Sequence, residues 1–372
     1  MPIRGKDDET LASAAVISLF RSGYESTAAR HFKTVLQSST RVPRAEWVVA
    51  VANLLFPDAA ERRRQVDVAR SRAEAMLKLA AESGHRGLTW FDPEYPDLLK
   101  EIPDPPVILW VEGDPAVLSQ TAVAVVGSRK AAPSSIFVAR QLARELADAG
   151  LVVVSGMARG VDSAAHLGAL DVGGQTIAVT GCGLMTVYPK RNDKLAASIR
   201  ETGAVVSELP PDAEPLPAHF PLRNRIISGL SRATVVVEAG LKSGSLITAT
   251  QALQQGRDVL AVPGSTMSEK HRGSHQLIKD GARLVDTVED VLDEIGWARR
   301  QVEASNTRNH LQLSDLESNM TKGETYSVDN LAEKTGRLTS ELLADLSRLE
   351  LSGRVIRTAG GDYIRLAGPE NK

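Results

Sequence analysis

The stretch TAVAVVGSRK, residues 121–130, decides the fold. Ala122 to Val126 form an unbroken apolar run that ends at Gly127 and passes at once into Ser128, Arg129 and Lys130. A strand with one face in water would alternate. An unbroken run suits a strand covered on both faces, as in a parallel sheet. The same pattern returns at LVVVS (151–155), TIAVT (176–180), AVVSE (204–208), TVVVE (234–238) and DVLAV (258–262). Segments of helical character near 134–149, 162–171, 192–202, 222–231, 245–256 and 274–280 separate these runs. Parallel neighbours need crossovers, and such helices supply them, so the spacing predicts a doubly wound α/β domain.

Towards the amino terminus, LASAAVISLF (11–20) and AEWVVAVANLLF (45–56) have helical apolar spacing. ERRRQVDVARSRAEAMLKLAAESG (61–84) reads as a basic amphipathic helix stopped by Gly84. Together they predict a helical domain over residues 1–86. In TWFDPEYPDLLKEIPDPPVILWVEGDP (89–115) the prolines forbid long helices and favour extended, docked chain. The α/β domain is expected over 87–296, and the polar, aperiodic 297–320 reads as a linker. Residues 321–372 read as helix, turn, helix and a hairpin around Gly360-Gly361, the outline of a winged helix.

Lys and Arg number 44 against 46 Asp and Glu, so a polyanion would need cations gathered locally. The one cysteine, Cys182, cannot form an internal disulfide, and no Cys/His cluster has zinc spacing. Neither a metal nor a cofactor is expected. The lone thiol fits a reducing compartment, and the chain shows neither a signal-peptide core nor an apolar run of about 18 residues. These features predict a cytoplasmic protein without a membrane partner.

Chemistry is concentrated in the turns directly behind the strands. Gly127-Ser128-Arg129, Gly156 to Gly160, Gly181-Cys182-Gly183, Ala239-Gly240 and Pro263-Gly264-Ser265 all fall at the carboxyl edge of a parallel sheet, where open α/β folds bind ligands. Glycine there lets backbone N–H groups approach an anion, although any such turn favours glycine for its own geometry. So many on one edge favour a phosphate-type ligand. GSRKAA (127–132) lacks the G-x-G-x-x-G spacing and the second strand ends in Ser155, which speaks against a dinucleotide. GLKSGS (240–245) falls short of the Walker spacing, which speaks against an NTPase. Ser243, Gly244 and Ser245 open a helix whose N–H groups either hold a phosphate oxygen or are simply N-capped.

HFPLRNR (219–225) combines a helix start, two arginines and Phe220. A ring that stacks on a base beside cations that track phosphates makes a single-strand groove. The alternative is a surface arginine pair with Phe220 in the core. Lys190, in YPKRN (188–192), adds charge after the GCG turn or belongs to a solvated helix start. Asp162 and His166 stand four apart on one helix face and read best as a helix-initiating carboxylate and its packed partner.

VAVVGSRKA (123–131), VVSGMARGVDSAAHLGAL (153–170), TIAVTGCGLMTVYPKRN (176–192), VVSELPPDAEPLPAHFPLRNRIISGLS (205–231), VVVEAGLKSGSLITATQAL (235–253), DVLAVPGS (258–265) and GSHQLIKDGA (273–282) resemble the bacterial DNA-processing protein A (DprA/Smf) family. The resemblance implies an extended Rossmann-like domain that forms a homodimer and holds single-stranded DNA in a basic pocket. It also implies delivery of that strand to the RecA recombinase in natural transformation and recombination, with no catalytic activity. The family's DNA contacts carry over to Arg129, Phe220 and the Ser243-Gly244 turn, and by extension to Gly127, Ser128, Lys190, Arg223, Asn224, Arg225 and Ser245. The amino-terminal region looks like the family's SAM-like helical domain, and the tail looks like its winged helix. Family members often carry a lysine where this chain has Pro217, so one phosphate contact is missing or relocated. Arg21-Ser22-Gly23-Tyr24 replaces a hairpin glycine pattern, which counts against separate DNA binding by the SAM-like domain.

Two other readings compete. Rossmann-like phosphoribohydrolases have a similar sheet but need a P-G-G-x-G-T-x-x-E loop; Pro263-Gly264-Ser265-Thr266 lacks the second glycine and a placed glutamate. A winged-helix transcription regulator needs a basic recognition helix, whereas Leu338 to Leu351 sets Glu341, Asp345 and Glu350 against Arg348.

Overall fold

The structure, a computed structural model, describes residues 14–16, 47–90, 92–298, 316, 319–351, 354–358 and 360–366. It divides into two compact units, residues 1–300 and 301–372.

The sheet of the first unit comprises β1 (Arg86–Thr89), β2 (Ile108–Gly113), β3 (Ala122–Val126), β4 (Val152–Ser155), β5 (Thr176–Val179), β6 (Ala204–Ser207), β7 (Ala233–Val236), β8 (Asp258–Ala261) and β9 (Arg283–Leu284). Their spatial order is β1-β2-β6-β5-β4-β3-β7-β8-β9. From β6 to β9 all neighbours are parallel, while β2 runs antiparallel to β6 and to β1. Every residue of β3, β4, β5, β6 and β7 is buried, as a sheet covered on both faces requires. The chain leaves β3 towards β4, β5 and β6, then returns to the other side of β3 as β7, β8 and β9. That reversal opens a crevice above the carboxyl ends of β3 and β7, the place where open α/β sheets bind ligands.

Several features were not legible beforehand. The proline-rich stretch holds one short helix, Asp97–Glu101, while Ile108–Gly113 and Arg86–Thr89 join the sheet as its antiparallel edge. Pro103, Pro105 and Pro106 precede β2, so they remove no ladder hydrogen bond. β9 has only two residues, too few for any periodicity.

The helices Trp47–Leu55 and Ala59–Glu82 fall within the same compact unit as the sheet. The second is N-capped by Asp58, whose side chain accepts the Glu61 N–H at 2.7 Å, and it turns off before Gly84, where φ is +72°. Its buried stripe is Val66, Ala69, Ala73, Met76 and Ala80, spaced three and four apart. These side chains share one core with Ile108, Trp110, Ala178, Leu195 and Ile199, so the helices pack on the sheet within the first unit. Of LASAAVISLF, only Ala14 to Val16 are described, and they are helical and buried; Arg21 to Tyr24 lie outside the described residues.

The second unit is a winged helix. Helices Val328–Thr335 and Thr339–Leu351 pack with the three-stranded sheet of β10 (Thr325–Tyr326), β11 (Val355–Arg357) and β12 (Tyr363–Arg365). Gly336, at φ +66°, makes the left-handed turn after the first helix. Both ends of the stretch read as a linker are packed. The Trp297 indole donates to the Ala149 carbonyl at 3.0 Å, and Leu316 and Met320 sit in the winged-helix core. Residues 299–315 lie outside the described residues. Among those described, no helix is long and apolar enough to cross a membrane.

Candidate nucleic-acid interface

A pocket of about 450 Å³ opens at the topological reversal. One wall is the turn after β3, with Gly127, Ser128, Arg129 and Lys130; the other is the start of the helix Gly244–Gln254, with Ser243, Gly244 and Ser245. Asp162, Arg223 and Asn224 also line it. The positive end of an 11-residue helix therefore opens onto this space. Ser243 is the N-cap: its hydroxyl oxygen accepts the Ser245 N–H at 3.4 Å and lies 2.7 Å from the Ser245 hydroxyl. Capping and pocket lining coexist at this serine.

Phe220 is half-buried at the carboxyl edge and not in the core. The Arg129 guanidinium carbon stands 5.2 Å from its ring centroid, and the Tyr188 ring lies 5.5 Å away, tilted by 45°. Gly181 permits this seat, because a Cβ there would come within 2.8 Å of the Phe220 ring. Lys190 is exposed, two residues beyond Tyr188, and lies outside the pocket lining.

Replacing Phe220 by alanine should therefore cost about 1 to 3 kcal/mol of single-strand affinity if a base stacks there. The loss of stability should stay below the roughly 3 to 5 kcal/mol of a core phenylalanine. Melting temperature and affinity measured on one sample separate the two. A destabilised variant with unchanged affinity would sink the stacking role.

Arg223 and Arg225, expected as a pair of phosphate donors, do different work. Arg223 is 6% exposed; one terminal nitrogen donates to the Gly156 carbonyl at 2.7 Å and to the Val179 carbonyl, and Nε donates to the Asn224 side chain at 3.2 Å. Burial lowers its pKa to about 10, so it remains a cation at neutral pH. It reaches the pocket as a fixed charge whose donors tie the turn after β4 to the end of β5. Arg225 faces away. It is held by Asp104 at 3.1 Å and Glu208 at 2.7 Å and does not line the pocket. Two positions along a helix is about 200° of rotation, so these side chains must part. Asn224 donates to the Gly244 carbonyl at 3.4 Å and bridges the helices His219–Gly229 and Gly244–Gln254.

His166 is packed, as read, but its partner is not Asp162. Nδ1 lies 2.7 Å from the Thr176 hydroxyl, which donates to the Val153 carbonyl at 2.6 Å. Nε2 accepts the Met157 N–H at 3.4 Å. Met157 has φ +57°, a left-handed conformation rare outside glycine, and Asn192 donates to its carbonyl at 2.7 Å. The turn after β4 is thus shaped by His166 and Asn192. Asp162 lines the pocket; burial raises its pKa, while the Arg223 and Arg129 charges and backbone N–H groups oppose the rise.

Sequence reading missed Lys130, Tyr188 and Thr248 as members of this site. Lys130 had a signal, since it directly follows Arg129. The ring contact of Tyr188 joins positions far apart in the chain and had none. No group of three His, Cys, Asp or Glu side chains suited to a metal occurs among the described residues.

A pocket at the reversal of a doubly wound sheet, walled by a helix start, defines a Rossmann-like protein with its crevice where open α/β sheets bind ligands. The chain belongs to the DNA recombination-mediator protein A family, whose model matches residues 86–296, and residues 323–361 match the DprA winged helix domain. Protein Smf of Escherichia coli (strain K12) is 42% identical over 282 residues, 73% of this chain and 75% of that protein. The X-ray structure of DNA processing protein A from Streptococcus pneumoniae matches with a TM-score of 0.65 at 34% identity, over 79% of this chain and 99% of that one. DNA processing protein A from Helicobacter pylori, described for its single-stranded DNA binding mode, matches with a TM-score of 0.52 at 31% identity, over 57% of this chain and 95% of that one. The family expected from the strand-end motifs is the family found.

Proposed function

We propose that this protein holds single-stranded DNA at the β3/β7 pocket and hands it to the RecA recombinase during DNA uptake and recombination. It acts without chemistry of its own, in the cytoplasm, as a homodimer through the sheet-bearing unit. One observation carries the reading: Arg129, which lines a pocket walled by a helix start, holds its guanidinium 5.2 Å from the ring centroid of the half-buried Phe220, itself outside the lining. A cation for the phosphate beside a ring for an unpaired base is the arrangement a single strand needs. The single-strand binding described for the Helicobacter pylori relative supports it. Lys130 supplies the pocket with a second exposed cation. The non-catalytic reading has support too, since both ring nitrogens of His166, the base nearest to Asp162 in the chain, are engaged.

Fluorescence anisotropy with a labelled oligothymidine and a duplex of equal length, across a salt series, tests the proposal. The expected result is a single-strand preference with a salt slope of about 0.7 per phosphate contacted. Tight binding to one duplex sequence would favour the regulator instead.

The tail should be dispensable for this binding. Residues 310–372 hold 8 Lys and Arg against 10 Asp and Glu, a poor footprint for a phosphate binder. On the helix Thr339–Leu351, Asp345 and Glu341 face Arg337 at 2.6 and 3.7 Å, so this face is already paired within the unit. A chain ending at Arg300 should keep its affinity within a few-fold and the same salt slope. A loss beyond about tenfold in a truncated protein that still melts cooperatively would show that the tail helps to form the site.

A further inference from the structure

Glu238 lies just beyond β7, has 0% exposure, and does not line the pocket. Its Oε2 accepts the Ala132 backbone N–H at 2.9 Å and the Ser135 hydroxyl at 2.8 Å. Ala132 is the N-cap of the helix Pro133–Asp148, yet its own side chain cannot cap and Pro133 brings no N–H. The acceptor at this helix start is therefore supplied by a residue 106 positions away in sequence. Further hydrogen bonds hold the loop between β3 and that helix. The Val161 N–H donates to the Ser128 carbonyl at 3.3 Å, and the Lys130 N–H donates to the Ser128 hydroxyl at 3.1 Å. Lys270 donates to the Lys130 carbonyl at 3.2 Å. Arg129 is the exposed residue at the centre of this frame.

A buried carboxylate near an anion site is costly. It loses hydration, and its charge repels the ligand. Its second oxygen, Oε1, is buried with no hydrogen-bond partner, which adds to the cost. We propose that Glu238 is the positioning residue for Arg129: it fixes the Gly127–Ala132 loop so that the guanidinium meets the phosphate of a bound strand over Phe220. The proposal rests on the reading of the pocket as a single-strand site. It assigns Glu238 no contact with DNA and no catalysis. The need is for an acceptor at Oε2, not for a negative charge.

The test is oligothymidine anisotropy on the full chain for Glu238→Ala, Glu238→Gln, Arg129→Ala and the double variant Arg129→Ala/Glu238→Ala, each checked for cooperative melting. Glu238→Ala should weaken binding on the order of tenfold, because the loop loses its cap and Arg129 its orientation. Glu238→Gln should restore affinity to within about threefold of wild type, since an amide oxygen accepts both donors. In the Arg129→Ala background, Glu238→Ala should add almost nothing, because a residue that acts only through Arg129 has nothing left to position. Wild-type affinity in Glu238→Ala, failure of the glutamine to rescue, or an equal further loss in the double variant would each overturn the proposal. If Glu238→Ala does not melt cooperatively, Ser135→Ala asks the same question by removing one donor; its loss, on the order of two- to fivefold, should likewise vanish without Arg129. Arg129→Ala that binds like wild type would remove the pocket reading itself, and the positioning role with it.

Discussion

Replacing Arg129 by alanine should weaken oligothymidine binding about 10- to 100-fold, the range expected for one charge-assisted hydrogen bond to a phosphate. The salt slope should fall by about 0.7, the share of one phosphate on a single strand. The fold should be unaffected, because the side chain is exposed and rests against the Phe220 ring. Arg129 stands alone in this respect among the arginines expected in the pocket. Arg223 is buried under carbonyls and Arg225 is neutralised by Asp104 and Glu208, so alanine at either position would unsettle packing before it informed on DNA. An Arg129→Ala protein that matches wild type in both affinity and slope would place the DNA site elsewhere.

Acid should destabilise the sheet-bearing unit through His166. Burial, with a smaller contribution from the Arg223 charge, lowers its pKa from 6.5 to about 3. The folded protein therefore keeps the ring neutral while the unfolded chain takes up a proton below about 6.5. Stability from this residue is intact above pH 6.5, falls by up to about 1.4 kcal/mol per pH unit as the pH drops, and levels off near 3. Asp162 acts in the opposite sense. Burial raises its pKa, so the folded state holds that proton more readily and gains stability on acidification between the raised value and 3.8. Asp162 is common to wild type and a His166 variant, so the difference between the two isolates the His166 contribution. All 4 tryptophans, Trp47, Trp90, Trp110 and Trp297, fall within residues 1–300, so their fluorescence in urea reports this unit alone. His166→Asn should be less stable at pH 7, having lost the bonds to Thr176 and Met157, but its stability should decline less steeply from pH 6.5 to 5. Parallel declines in the two proteins would show that the ring does not titrate on unfolding.

The architecture was readable because its signals are local. Six unbroken apolar runs mark strands covered on both faces, and the glycine turns behind them mark the carboxyl edge, whatever the order of the strands. Arg129 and the Ser243–Ser245 helix start came with that edge, since they sit directly behind a run. The helix, turn, helix and hairpin of the tail were legible for the same reason: each is specified by capping and turn residues a few positions apart.

What depended on distant partners came only with the folded chain. β1 and β2 become strands because β6 offers them an edge, and the amino-terminal helices join the sheet because their apolar stripe needs its face. Helix rotation separated Arg223 from Arg225, adjacent in the motif but opposite in direction. The partner of His166 is Thr176 on β5, not Asp162 one turn away. Glu238 read only as the end of a strand, yet its carboxylate accepts the N–H of Ala132, the N-cap residue 106 positions earlier in the chain. Runs and turns carry their own information because backbone geometry is set by near neighbours. Side-chain partnership is set by where the strands come to lie, and strand order is a property of the whole core.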